Sequence, residues 1–261
     1  MNFTIKIKAI FGVTLAILAA FITIQAMSSG AVSAADRNLS TAQQQEVRAI
    51  VKDMLVNDPD LLKEAVIAMQ IREQGSQQAS VKSLIKQHQQ SLFNSKTDPW
   101  KGAKNPELTM VYFTDFNCPY CKKLEPELEQ LMAAFPQLKI IIKMVPLQGK
   151  GAEDAVDLAQ TVWLNEPEKY LALKDTLMAA PRKLDSATIA KVAKLTKTQD
   201  WLNQKDSRVD SIVDNNLQLM RQLGFRGTPS MIIGEQVIPG LVPFETLKKA
   251  VESALEEQKD G

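Results

Sequence analysis

The stretch FNCPYCKKLEP, from Phe116 to Pro126, holds both cysteines of the 261-residue chain, with only Pro119 and Tyr120 between them. A pair spaced in this way can clip a metal, close a short loop or exchange electrons. Two cysteines and the single histidine fall short of the four protein ligands of a structural zinc site, so no metal is expected. A permanent bond between Cys118 and Cys121 would close so short a loop that it adds little stability. Redox chemistry remains. The β-rich run Leu108 to Phe116 (LTMVYFTDF) precedes the pair, and a helix is expected from the cysteines to Phe135. Cys118 then sits where a strand hands over to a helix, and the helix dipole and free amides there stabilise a thiolate. On that geometry Cys118, at the exposed helix start, is the nucleophile. Cys121, one turn inward, resolves mixed disulfides, so the two form a redox-active Cys118–Cys121 pair. Pro119 and Tyr120 shape the turn. No cofactor is expected.

Outward from the pair, Leu138 to Val145 (LKIIIKMV) reads as a buried strand, completing a β-α-β start. From Gly151 to Leu223 nearly everything has helical periodicity. Strands return at Ser230 to Ile233 and Gln236 to Ile238, joined by a Gly234-Glu235 turn, and Phe244 to Leu255 reads as a closing helix. The fold class is α/β, a β-α-β half and a β-β-α half separated by a helical insertion. Lys143, inside the apolar strand, is expected either beside the cysteines or pointing to the surface. Asp115 is expected to be a strand-end or capping carboxylate.

Upstream, Thr97 to Pro106 is a turn-rich connection, and Leu39 to Phe93 carries three apolar stripes at helical spacing. They are Val47, Ile50, Val51, Met54 and Leu55; then Leu61, Leu62, Ala65, Val66 and Met69; then Val81, Leu84, Ile85 and Leu92. Asp58-Pro59-Asp60 separates the first two helices, and Gly75-Ser76 is expected to break or loosen the second from the third. Each stripe is narrow, so these helices need a partner surface, either the downstream domain or, preferred here, a second copy of the chain. His88 beside the third stripe is read as a packed or solvated side chain.

The first residues differ again. Lys6 and Lys8 precede an apolar run from Ala9 to Ile24, and Ala31-Val32-Ser33-Ala34-Ala35 follows, which is a secretory signal pattern with cleavage expected before Asp36. Export to an oxidising compartment such as the periplasm would let a disulfide persist. The formal net charge is +1, and no Lys/Arg block appears, which argues against a nucleic-acid partner.

Cys-Pro-Tyr-Cys after a strand, Pro126 within the following helix, and the later Gly227-Thr228-Pro229-Ser230 together resemble the thioredoxin fold. The distance from Cys118 to Pro229 exceeds that of thioredoxin itself, and the helical insertion resembles the DsbA-like protein disulfide oxidoreductases. The added N-terminal helices are similar to those of the branch containing the Com1-like proteins and suppressor-of-copper-sensitivity protein C (ScsC). The resemblance implies a cis Pro229 facing the cysteines, with the Thr228 backbone free to pair with a substrate chain. With the patterns above, the chain is read as a signal peptide (1–35), an N-terminal helical oligomerisation segment (36–96), a first thioredoxin half (97–150), an inserted helical domain (151–225) and a second half (226–261). The resemblance further implies protein substrates with cysteines, a redox partner such as a membrane thiol oxidase or reductase, and a homo-oligomer formed through residues 39–93. Isomerase or reductase activity is favoured over disulfide donation by a DsbA-like dithiol oxidase, with Cu(I) binding by the thiolates as an accessory. One departure stands out: many relatives carry a buried glutamate six residues before the first cysteine, where this chain has Tyr112.

Overall fold

The computed structural model describes residues 39–260, and the expected signal segment lies outside them. The chain divides into two compact units, one ending at Gln70 and one starting at Ile71. In the first, α1 (Thr41–Asn57) opens with a capping box. The Ser40 hydroxyl accepts from the Gln43 N–H at 3.3 Å, and the Gln43 side chain accepts from the Ser40 N–H at 2.9 Å. Asp58 and Pro59 separate α1 from α2 (Pro59–Gln87) as the sequence suggests, with Asp58 Oδ1 accepting from the Leu61 N–H. The apolar stripe of this unit is exposed, Ile50 and Met69 each at 54%.

The expected break at Gly75-Ser76 is absent, for α2 continues to Gln87. A glycine weakens a helix by about 1 kcal/mol relative to alanine but removes no hydrogen bond. The interruption comes at His88, before the short α3 (Gln89–Phe93).

The second unit is built on a five-stranded sheet in the order β1-β3-β2-β4-β5. β2 (Leu108–Thr114) and β3 (Leu138–Met144) are parallel at its centre. β1 (Trp100–Gly102) pairs antiparallel with β3, while β4 (Ser230–Ile233) and β5 (Gln236–Pro239) form the closing hairpin. β1 lies within the stretch expected to be only turns. Gly234 turns the hairpin with φ +58°, a conformation that costs glycine little. Between β2 and β3 runs α4 (Pro119–Ala134). The insertion consists of α5 (Lys150–Asn165), α6 (Pro167–Met178), α7 (Ser186–Leu195), a 3₁₀ turn and α8 (Val209–Gln222); α9 (Phe244–Asp260) closes the chain.

Alternation along the strands gives the sheet two buried faces. Met110, Tyr112, Ile140 and Ile142 share one core with Cys118, Cys121, the inner side of α4 and residues of α5, α6, α7 and α9. Val111, Phe113, Val145 and Ile232 share the other with Leu219 and Met220 of α8 and with Ile85 and Leu92. The third N-terminal stripe therefore packs on the sheet of its own chain. Of the expected seam over residues 39–93, this end is covered internally. Full burial of Leu92 alone is worth about 1.5–3 kcal/mol.

Lys143 follows neither sequence expectation. It is fully buried, but opposite Phe113 in the register and so on the sheet face away from the cysteines. Its ammonium pairs with buried Asp98 and donates to the Ser91 carbonyl at 2.6 Å. The pair fastens the segment after α3 to the central sheet.

Candidate active site

β2 ends at Thr114, and four residues form the turn into α4. Asp115 organises that turn. It is fully buried; one carboxylate oxygen accepts from the Asn117 N–H (2.6 Å), the other from the N–H groups of Leu147 (2.6 Å) and Gln148 (2.8 Å). Burial raises its pKa, and these backbone donors oppose the rise. The capping reading of Asp115 is thus the structural one, and it joins the loops that follow both central strands. Asn117 extends the framework by accepting from the Leu184 N–H at 2.7 Å. At Gly151, opposite, a Cβ would lie 1.8 Å from the Leu184 carbonyl oxygen, so only glycine allows this approach of the insertion.

Cys118 occupies the N-cap of α4 and Pro119 its first position, where a missing N–H costs nothing. The cap has no side-chain hydrogen bond, so the thiol is left facing the free amides. The sequence places Cys118 at an exposed start; the structure sinks it to 3% exposure, with Cys121 at 0% one turn deeper, and both thiols are free. Tyr120 is 56% exposed beside them.

The Thr228-Pro229 bond is cis, and it brings the Thr228 carbonyl over the pair, where the Cys118 thiol donates to it at 3.2 Å. Once Cys118 ionises, donors converge on its sulfur. The hydrogen bond from the Cys121 thiol is the largest cause of a pKa lowered to about 6, assisted by Thr228 and the Cys121 and Tyr120 amides and opposed by burial. Burial, and then donation to Cys118, push the Cys121 thiol far up. One sulfur is therefore an anion at neutral pH and its neighbour a protonated thiol, an arrangement suited to attack by the first and resolution by the second.

Tyr112, in the place of the relatives' glutamate, is fully buried beneath the pair, and its hydroxyl accepts from Thr114 Oγ1 at 2.9 Å. Burial raises its pKa well above the usual value, with Cys121 and then Glu125 adding to the rise. Glu125 and its partner Lys174 on α6 are site neighbours that the sequence reading did not single out. Helical spacing from Cys121 would have pointed to Glu125. Lys122 Nζ donates to the Ala180 carbonyl at 2.6 Å and so ties the start of α4 to the insertion.

The thioredoxin family model matches residues 94–253. A linker-deletion variant of ScsC from Proteus mirabilis is 34% identical, with a TM-score of 0.66 over 85% of this chain and 100% of that one. A periplasmic thioredoxin-like protein from Salmonella enterica serovar Typhimurium is 38% identical, with a TM-score of 0.62 over 64% of this chain and 95% of that one. Among curated proteins, disulfide bond formation protein D of Bacillus subtilis is 22% identical over 173 residues, 61% of this chain and 78% of that protein. The chain thus belongs to the thioredoxin family, in the DsbA-like branch that includes ScsC, and is a protein thiol-disulfide oxidoreductase.

Proposed function

We propose that Cys118 and Cys121 are the exchanging pair, that Pro119, Tyr120, Thr228 and Pro229 shape the surface that receives a substrate chain, and that the enzyme works as an exported isomerase or reductase. The observation that carries this reading is the split between the thiols, Cys118 held at about 6 by a hydrogen bond from Cys121. The protein partners are cysteine-containing substrates and a membrane thiol oxidase or reductase that resets the pair. Export rests on Lys6, Lys8 and the apolar run ending in small residues, supported by the periplasmic Salmonella relative. Terminal sequencing of the secreted chain should begin at Asp36.

The same reading gives the N-terminal helices an oligomer seam, and the exposed apolar stripe from Val47 to Met69 supports it. An assembly presenting several reduced pairs could hold and reshuffle a misfolded substrate. The test is refolding of scrambled ribonuclease, with Cys118→Ser as control and with a chain lacking residues 39–70. Deletion should lower the solution mass to that of a monomer and reduce isomerase activity while sparing insulin reduction. An unchanged mass and unchanged ribonuclease recovery would remove the oligomeric isomerase reading.

The two adjacent sulfurs also suit Cu(I), a soft ion favouring thiolates, as an accessory ligand. Titration of the reduced protein against a Cys118→Ser, Cys121→Ser double variant tests it.

A further inference from the structure

The turn that presents Cys118 is bordered by two other segments, and each carries exposed cations. On the side of the insertion, Lys122 Nζ donates to the carbonyls of Ala180 (2.6 Å) and Arg182 (3.5 Å), and the Leu184 N–H donates to Asn117 Oδ1 at 2.7 Å. The loop from Ala180 to Leu184 is thereby pinned to the residues that flank the cysteine pair in the chain, and it leaves Arg182 and Lys183 exposed beside them. On the other side, Phe225 packs edge-on against Phe113 with ring centroids 5.3 Å apart, and the next residue, Arg226, is exposed two positions before Thr228, whose carbonyl covers Cys118. The insertion enters after β3 and the Thr228 loop leads into β4, the two strands that flank β2, so these cations stand on opposite sides of Cys118. Lys123 is exposed on α4 itself, three residues after Tyr120 and so on the same helix face.

Lys123, Arg182, Lys183 and Arg226 make no ion pair among the described residues. By contrast, Lys150 at the start of α5 is held by Asp154 at 2.5 Å. Of the acidic side chains close in sequence, Asp115 is buried among backbone donors, Asp185 caps α7 by accepting from the Thr188 N–H at 2.7 Å, Glu125 pairs with Lys174, and Glu127 lies a turn beyond Lys123. Inside the ring of cations the surface is apolar, for Tyr120, Leu147 and Leu241 are all exposed. The Leu147 N–H is fixed by Asp115, and Leu241 follows Gly240, whose N–H donates to the Pro229 carbonyl at 2.8 Å. The whole chain has a formal net charge of only +1, so the positive excess is local to this face.

We propose that this face selects acidic substrate segments, in which the reacting cysteine has an apolar neighbour and carries Asp or Glu residues farther out on both sides. The proposal rests on Cys118 and Cys121 being the exchanging pair and names the class of chain that reaches them. Tyr120, Leu147 and Leu241 seat the residues next to the substrate cysteine, while Lys123, Arg182, Lys183 and Arg226 meet the flanking carboxylates. The rim matters because Cys118 reacts as an anion. A thiolate alone repels an approaching acidic chain, and the surrounding cations reverse the sign of that encounter. Steering of this kind raises association rates by about 10–10³-fold and falls steeply with ionic strength.

The test mixes the reduced full chain with peptides whose single cysteine is held as a mixed disulfide with neutral 2-thiopyridine and is flanked by aspartates, glutamines or lysines. The Cys118 thiolate bonds to the peptide sulfur, the peptide–pyridyl disulfide breaks, and the pyridyl sulfur leaves with the electron pair, takes a proton from solvent and is read as coloured thiopyridone. Each second-order rate is divided by that of the same peptide with 2-mercaptoethanol thiolate, which removes the peptide's own reactivity. The aspartate peptide should then outrun the lysine peptide by about tenfold or more at low salt, with glutamine between them. In 1 M salt, where the Debye length shrinks to about 3 Å, the ratio should fall towards one. Arg226→Gln should lower the ratio by about 1.5- to 5-fold, the range of one exposed ion pair. The Arg182→Glu, Lys183→Glu, Arg226→Glu triple variant, with its fold checked by circular dichroism, should reverse the order of the peptides. A wild-type ratio at or below one, or a ratio that neither variant moves, overturns the proposal. Thiopyridone release that Cys118→Ser leaves as fast as before overturns the assignment of the exchanging pair instead.

Discussion

Replacing Cys121 by alanine isolates the strongest influence on Cys118. The hydrogen bond from Cys121 leads the causes that hold Cys118 at about 6 rather than at 9.0. A hydrogen bond to an ionised group is worth about 1.5–3 kcal/mol, and each pKa unit is about 1.4 kcal/mol, so the Cys118 midpoint should move up by about 1–2 units, to roughly 7–8. At pH 7 the ionised fraction falls from about 90% to between roughly 50% and 10%. Nucleophilicity moves the other way: with a Brønsted coefficient of about 0.4–0.5, the less stabilised thiolate reacts about 3–10 times faster. The two effects nearly cancel at neutral pH, so a single rate there would mislead. The informative assay is the full pH profile of iodoacetamide alkylation, or of ultraviolet thiolate absorbance, for wild type and Cys121→Ala. A higher midpoint together with a higher alkaline plateau is expected. A folded Cys121→Ala whose midpoint stays at about 6 would refute the coupling between the sulfurs.

Thr228→Val keeps the carbonyl over Cys118 but loses a donor to its thiolate, so the same profile should shift upward by less than in Cys121→Ala. The lowered pKa also sets the sign of a stability change: the reduced protein holds the contribution of Cys118 above 9.0 and loses it as pH falls through about 6, so urea midpoints of the reduced form, relative to Cys118→Ser, should decline across that window. Asp98→Ala leaves the Lys143 ammonium buried with only the Ser91 carbonyl, and urea unfolding should show a loss of about 3–5 kcal/mol, much of it recovered when Asp98→Leu is combined with Lys143→Met. Asp115→Ala strands three backbone donors and should cost about 3 kcal/mol, with faster amide exchange at Asn117, Leu147 and Gln148.

What the sequence revealed was carried by short-range pattern. Cys118 and Cys121, the helix that follows them, Thr228-Pro229 and the hairpin at Gly234 all announce themselves within a few residues, because turn chemistry and helix starts are local. The four longer strands and their division into two halves around an insertion were also read from pattern, but the order of the five-stranded sheet was not. Long-range partnership was not legible. Lys143 meets Asp98 across 45 residues and Lys174 meets Glu125 across 49, and no spacing rule links such positions. β1 is three residues long, too short to show a period. The third N-terminal stripe was read as a seam because an amphipathic helix looks the same whether its apolar face meets another chain or its own sheet.

The hydrogen bond between Cys118 and Thr228 spans 110 residues, and β2 finds its antiparallel neighbour β4 only after the whole insertion has been made. Closing a flexible loop of that length costs about 4 kcal/mol beyond the constant term. Packing of α5, α6 and α7 against one another, all local in sequence, shortens that loop to the distance between the ends of a folded body. Local contacts among the inserted helices are therefore expected to form before the long-range pairing of β2 with β4, so that the reactive sulfur meets its covering carbonyl late. The insertion then works as a folded spacer that holds the two halves of the site within reach of each other.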